Sequence, residues 1–375
     1  MIAKSYSFRF CACILTILGF LRPQSTQSQP NALIGDVGTP KEKVDGHLKQ
    51  ELQLAGDYMM GHGVPRDLTQ SAYWYRKAAD QGYPAAQVQI GYFYLAGIGV
   101  PRDEAQAAKW FERAAASGSN DGKLNLAVLC FRGTGITRDP HMGYQLLQEL
   151  AGKQFPRAED YLGILYFLGI GVEKDPVKAE KWFERAASHH SPEGEYAMGT
   201  MYSVVSGHPR DFGKAADYLR RSAQSGYVAS MHSLGLLLAN HTELDQQPDE
   251  AVRWLQSAAE GGAYRSSIAL GIMARDGKDI PRDESVAYRW FTIAIKQGGQ
   301  DAEKLLAPDL SLARKTLSAE QQHAAEQAAQ VWLETHTHQD VYVYGTELNL
   351  ANFPIKEVYA TGPDIQQTDK GANKN

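Results

Sequence analysis

Apolar residues recur along most of this chain at helical spacing, and they do so in two alternating patterns. One kind of segment is apolar nearly all round: IGYFYLAG, LAVLCFRG, LGILYFLG, MGTMYSVV, LGLLLA and LGIMAR. The other carries a single apolar stripe. Its clearest example is the heptapeptide KWFERAA, at 109–115 and again at 181–187. At about 100° per residue, Ala107, Trp110, Phe111 and Ala114 gather on one side, and Lys109, Glu112 and Arg113 on the other. The striped segments predict amphipathic surface helices, and the all-round apolar ones predict helices enclosed by neighbours.

The alternation has a fixed period. Trp74, Trp110, Trp182, Trp254 and Trp290 lie on a 36-residue grid whose two remaining points hold Leu146 and Tyr218. A second grid holds Ala55, Gly91, Ala127, Gly163, Gly199, Gly235 and Gly271, and a third Asp67, Asp103, Asp139, Asp175, Asp211 and Asp283, with Gln247 at the missing point. Seven helix-turn-helix units therefore run from 48 to 299 without an insertion. A large ring set between alanines lets neighbouring helices approach and fills the space between units, so the five tryptophans are expected to be structural wedges. Burying such a ring removes about 150–250 Å² from water, on the order of 4–6 kcal/mol gross at about 25 cal/mol per Å².

Turn chemistry punctuates each unit. Pro84, Pro156 and Pro192 suit the first turn of the first helix, where a missing N–H costs nothing. Gly97 and Gly99 end that helix in left-handed geometry. Asp103 is the expected N-cap of the second helix, and Gly118 closes it. Two units depart from the pattern. The third has HMGYQLLQELAGKQF in place of the tryptophan helix, and the sixth loop, ANHTELDQQPDEA, lacks the glycines and the Asp cap, so that Pro248 is the expected restart of its second helix. After Gly299, DAEKLLA starts an eighth first helix that is expected to fade. Ser318 with Gln321 forms a capping box, opening a helix with an apolar stripe of Ala325, Ala328, Ala329 and Trp332. Segment 300–338 thus reads as a partial repeat and a C-terminal capping helix that covers the last apolar face.

These residues resemble the Sel-one-like repeat, a relative of the tetratricopeptide repeat. In the second unit the resemblance rests on Ala86, Ile90, Gly91, Tyr94, Gly97, Gly99, Val100, Asp103, Ala107, Trp110, Phe111, Ala114, Ala115 and Gly118. It covers about two thirds of the chain and implies an all-α, right-handed α/α solenoid whose first helices line a concave face. It also implies a scaffold or adaptor for other proteins, exported in many bacterial members.

Composition and charge narrow the role. At 43% hydrophobic and 22% charged residues the chain is that of a folded protein, and a net charge of −5 argues against general nucleic-acid binding. Lys4 and Arg9 precede an apolar run from 10 to 21, followed by RPQSTQSQP. A basic start, a short apolar run and a small-residue exit read as a secretory signal over 1–28, cut after Ser28. An uncleaved N-terminal anchor is the alternative, although the run is shorter than the roughly 20 residues of a spanning helix. The expected location is periplasmic or secreted. Residues 29–47 read as a linker, and 339–375, with VYVYG and NFPIKEVY among polar residues, as a weakly ordered tail. Beyond the signal only Cys130 remains, so no intramolecular disulfide is available.

Catalytic patterns are lacking. The sequence shows no HExxH, paired-cysteine, P-loop or nucleophile-elbow motif, and its eleven histidines are scattered, so neither enzymatic activity nor a metal or other cofactor is expected. Cysteine-rich relatives of the repeat are linked to β-lactam binding and hydrolysis, but they carry a disulfide in each repeat. The expected function lies along the first helices. There Ala85, Gln89, Tyr92 and Ala96 form one stripe, and the Tyr92 position holds Val128, Ile164, Thr200, Leu236 and Ile272 in later units. Two readings stay open: an exposed apolar groove that binds a protein or peptide, or a strip buried between neighbouring first helices. Lys123, Asn125, Arg132 and Tyr161 are the flanking polar candidates. A tail that occupies the groove until a partner displaces it is a further alternative.

Overall fold

The computed structural model describes residues 46–204, 210–241, 244 and 249–336. The expected signal, most of the linker and the tail lie outside these residues. Among the described residues the chain forms fifteen helices and no strand. First helices of the units are α1 (Gly46–Met60), α3 (Pro84–Ala96), α5 (Asn120–Arg132), α7 (Pro156–Leu168), α9 (Pro192–Val204), α11 (Val228–Asn240) and α13 (Tyr264–Asp276). Second helices are α2 (Leu68–Asp80), α4 (Glu104–Ala116), α6 (Pro140–Gly152), α8 (Pro176–Ser188), α10 (Phe212–Gln224), α12 (Glu250–Glu260) and α14 (Glu284–Thr316), and α15 (Ala319–His336) closes the array. Each helix packs chiefly on the helices before and after it in the chain, the contact pattern of an all-α solenoid.

The aspartate grid is a capping grid. Asp67, Asp103, Asp139, Asp175, Asp211 and Asp283 are N-caps of second helices, each carboxylate accepting a first-turn backbone N–H. Gly97, Gly133, Gly169 and Gly277 end first helices in the left-handed region. Two residues on, Gly99 has φ +63°, and a Cβ there would sit 2.0 Å from the carbonyl oxygen of Leu68. The turn of one unit therefore lies directly on the start of the preceding second helix. The aberrant third unit folds regularly, with Asp139 as cap and Pro140 in the first turn of α6. In the sixth unit α12 starts behind Asp249, which takes φ +62° and makes no side-chain cap bond.

The grid glycines have a steric reason. A Cβ on Gly91 would lie 2.7 Å from the Phe111 ring, one on Gly163 2.5 Å from Phe183, and one on Gly271 2.4 Å from Phe291. Leu219 and Leu255 occupy the same place over Gly199 and Gly235. The deepest wedge is thus the residue after the tryptophan, which corrects the expectation that tryptophan itself fills the space between alanines. Trp110 and Trp290 are buried, but Trp74, Trp182 and Trp254 are half-buried at the edge of the packed layer. Cations lie over several of these rings: Lys77 on Trp74, Arg113 on Trp110, Arg185 on Trp182 and Arg289 on Trp290.

An ion pair recurs on the same period. Glu51 meets Lys77 at 3.0 Å, Glu159 meets Arg185 at 2.8 Å, and Glu195 meets Arg221 at 3.1 Å. Each joins the first helix of a unit to the end of its second helix, and the three carboxylates are buried. The cation also lies over the ring three residues earlier, Trp74, Trp182 or Tyr218. The third unit reverses the charges, with Lys123 paired to Glu149. That unit has Leu146 on the tryptophan grid, so no ring holds a cation on its second helix, and the pair works in either direction.

At the C-terminal end Gly299, at φ +57° and ψ −139°, kinks α14 into two helical stretches. The eighth first helix does not fade as expected. It runs on through Pro308 to Thr316, held by buried Ala302, Leu306, Leu310 and Ala313. The capping box forms as read: the Ser318 N–H donates to Gln321 Oε1 at 2.9 Å, and the Gln321 N–H to Ser318 Oγ at 3.2 Å. Helix α15 buries Ala325 and Ala329 and sets the Trp332 ring edge-on to Trp290, with centroids 5.3 Å apart. Ala328 is exposed, contrary to the expected stripe.

Candidate functional site

Consecutive first helices touch across units, α3 on α5, α7 on α9 and α11 on α13, and consecutive second helices approach each other less. The first helices therefore line the inner side of the array. Any site that spans several units must be built from the side chains they turn inward.

Buried and half-buried positions divide the expected strip. Tyr92 is 7% exposed, Val128 1%, and Thr200 is buried as well. Tyr92 donates to Asn125 Oδ1 at 2.9 Å and meets the Phe111 ring edge-on. A continuous exposed apolar strip is thus ruled out at these three places, and burial against neighbouring first helices holds there. Ile164, Leu236 and Ile272 are half-buried, as are Gln89, Arg132 and Tyr161. Lys123 is drawn to Glu149 on its own unit's second helix, so it does not flank the strip as expected. Asn125 is 2% exposed, deeper than a flanking residue.

A polar node sits where α3, α5, α7 and α9 meet. Arg157 pairs with Asp121 at 3.3 Å. Its charge also acts on Tyr92 and Tyr161, and Glu193 acts on it in turn. Burial holds the Tyr161 hydroxyl above its ordinary pKa, against the pull of Arg157 and Arg132. Burial likewise lowers the Arg132 guanidinium, with Tyr161 opposing. Asp160, buried beside the node, accepts from Ser191 Oγ, and burial followed by the Glu193 charge raises its pKa well above the carboxylate range.

Sequence reasoning passed over Arg157, Asp121, Glu193 and Asp160, although a signal for most of them was present. On the 36-residue grid the Ala85 position holds Asp121, Arg157, Glu193, Ala229 and Arg265 in successive units. It is a row of charges on a helix face that is otherwise apolar. The Gln89 position likewise holds Asn125 and Tyr161. Comparing units down each position, rather than reading along each helix, brings out the node.

Further along, His232 Nδ1 lies 2.7 Å from Ser266 Oγ. Burial and then the Arg265 charge lower its pKa to about 4. Cys130 is buried, and burial pushes its thiol up to about 11, a packing residue rather than a nucleophile. Among the described residues no group of three or more His, Cys, Asp or Glu side chains is placed to hold a metal ion, and no helix is long and apolar enough to cross a membrane.

A solenoid of helical hairpins whose recurring residues cap and pack, and whose inner-face residues differ from unit to unit, is a repeat scaffold. The Sel1 repeat model matches residues 51–83, 84–119, 121–153, 156–191, 192–227, 228–262 and 266–299, and the chain belongs to that family. Sel1 repeat proteins are generally protein-interaction scaffolds, and their fold is typically non-enzymatic. Among solved structures the chain is similar to a Sel1 repeat protein from Oxalobacter formigenes, at 27% identity and TM-score 0.57, over 66% of this chain and 99% of that one. It is also similar to c5321 of uropathogenic Escherichia coli, described as a protective antigen with an SLR fold, at 24% identity and TM-score 0.40, over 87% of this chain and 74% of that one. No curated protein matches the chain.

Proposed function

We propose that this chain is an exported adaptor that holds a protein or an extended peptide against the inner face of its first helices. One observation carries the reading: the unit-to-unit variation on this face is concentrated and chemical. The polar node of Asp121, Asn125, Arg157 and Tyr161 gives way to half-buried Ile164, Leu236 and Ile272, while the capping and packing grids stay nearly constant. A surface with polar anchors beside apolar contacts suits an extended chain. Export is supported by the basic, apolar and small-residue succession over 1–28.

Site-specific photocrosslinking tests the reading. A benzophenone side chain is placed at Ile164 or Leu236 on the inner face, and at Val177 or Tyr73 on exposed second-helix positions. Inner-face probes are expected to yield a discrete crosslinked partner in the envelope of the expressing cell, and the outer probes none. A partner trapped only from Val177 or Tyr73 would move the binding surface to the second helices.

A further inference from the structure

The geometry points to a carboxylate-binding subsite at the node between α5 and α7, built from Asn125, Tyr161, Arg132 and Arg157, for an acidic side chain or the C-terminal carboxylate of an extended peptide. It rests on the inner-face reading above and names the group that the partner offers.

The central observation is an orphaned donor. Asn125 is 2% exposed, and its Oδ1 is taken by Tyr92, yet its Nδ2 has no hydrogen-bonding partner. A buried amide N–H is rarely left unmade in a folded protein. The orphan does not sit in an apolar pocket, because the Tyr92 hydroxyl bonded to the same amide lies within the field of Arg157, Asp121 and Tyr161. Tyr161 occupies the Asn125 position of the next unit and lies between Arg157 and Arg132.

The groups at this node are mainly donors: an amide N–H, a phenol O–H and two guanidinium groups. Their complement offers acceptors alone and carries negative charge, which describes a carboxylate. An ammonium group would meet two guanidinium cations, and an amide would bring an N–H of its own. Asp121 and Glu193 stand against Arg157 on the solvent side. They offset enough of the positive charge to favour a monoanion over a phosphate dianion.

The test uses the whole chain with selectively ¹⁵N-labelled asparagine and three acetylated pentapeptides. One is pentaalanine with a free C-terminal carboxylate, one its C-terminal amide, and one the amide with a central Glu. The Asn125 side-chain N–H resonances are expected to shift saturably with the two carboxylate peptides and not with the neutral amide. A tighter titration by the free terminus identifies a chain end as the natural group, and one by the Glu peptide identifies a side chain. Arg132→Gln and the isosteric Asn125→Asp should each weaken the titration tenfold or more, with Arg132→Gln deciding if Asn125→Asp fails to fold. Equal shifts from the neutral amide, or none from either carboxylate peptide, overturn the subsite. Methyl shifts at Ile164 and Leu236 without any at Asn125 overturn it too, while leaving the inner-face reading standing.

Discussion

Gly99 and Gln154 show what the repeat demands of single residues. Gly99→Ala would drive a Cβ into the Leu68 carbonyl at φ +63°, so it should cost more than about 2 kcal/mol in urea unfolding. Gln154 and His190 stand where other units close with Gly118 or Gly226, and they hold φ +58° and +60°. Gln154→Gly should therefore stabilise by about 0.5–1 kcal/mol. Breaking the Glu195–Arg221 pair with Glu195→Ala should cost roughly 2 kcal/mol, below the ~3–5 of a fully buried pair because the Arg221 side chain is half exposed. Glu195→Lys with Arg221→Glu should recover much of that loss, since Lys123 and Glu149 already adopt this arrangement. His232 adds a pH dependence. With a folded pKa near 4 against an unfolded value near 6.5, its contribution is fully present above about pH 6.5 and is lost as pH falls toward 4. Between pH 7.5 and 5 the loss should be roughly 1–2 kcal/mol, and His232→Gln should flatten it in melts across that range. The Asp caps were readable from sequence because a cap needs only its own helix. The wedge was not, because Trp110 and Phe111 share one apolar stripe and only the neighbouring backbone at Gly91 shows which ring goes deeper.

Helices are the scale at which the end of the array is decided. The last full unit exposes an apolar face that α15 covers through Ala325, Ala329 and Trp332. Trp332→Ala should cost about 2–3 kcal/mol, less than a fully buried tryptophan, and should speed hydrogen exchange in α13 and α14 more than in α3. Equal acceleration along the whole chain would mean that α15 does not act as a local cap. The Ser318–Gln321 box made the start of α15 legible. The helix running through Pro308 was not, because proline normally breaks a helix by removing one N–H and crowding the preceding turn. Here the buried residues on both sides of Pro308 hold the helix together. The displaced start of α12 was half legible: the missing glycines and Asp cap marked the place, and Asp249 became the cap residue in a left-handed conformation.

Across the whole molecule, period and function separate. The positions that recur, the aspartate caps, the grid glycines and the ion pairs, hold each unit to the next. Those that vary are concentrated on the inner face, where Asn125, Arg157 and Tyr161 form one node and Ile164, Leu236 and Ile272 stay partly open. The fold was largely legible in the sequence because a 36-residue period repeats the same local evidence seven times. The inner-face strip was legible only as an alternative, since whether Tyr92 and Val128 face solvent depends on how tightly first helices of different units pack. Hydrogen exchange on the complex with a partner trapped at Ile164 tests the central claim most directly. Protection concentrated in α5, α7 and α9, with α4, α6 and α8 unchanged, is the predicted result. Protection confined to α4, α6 and α8 would contradict it.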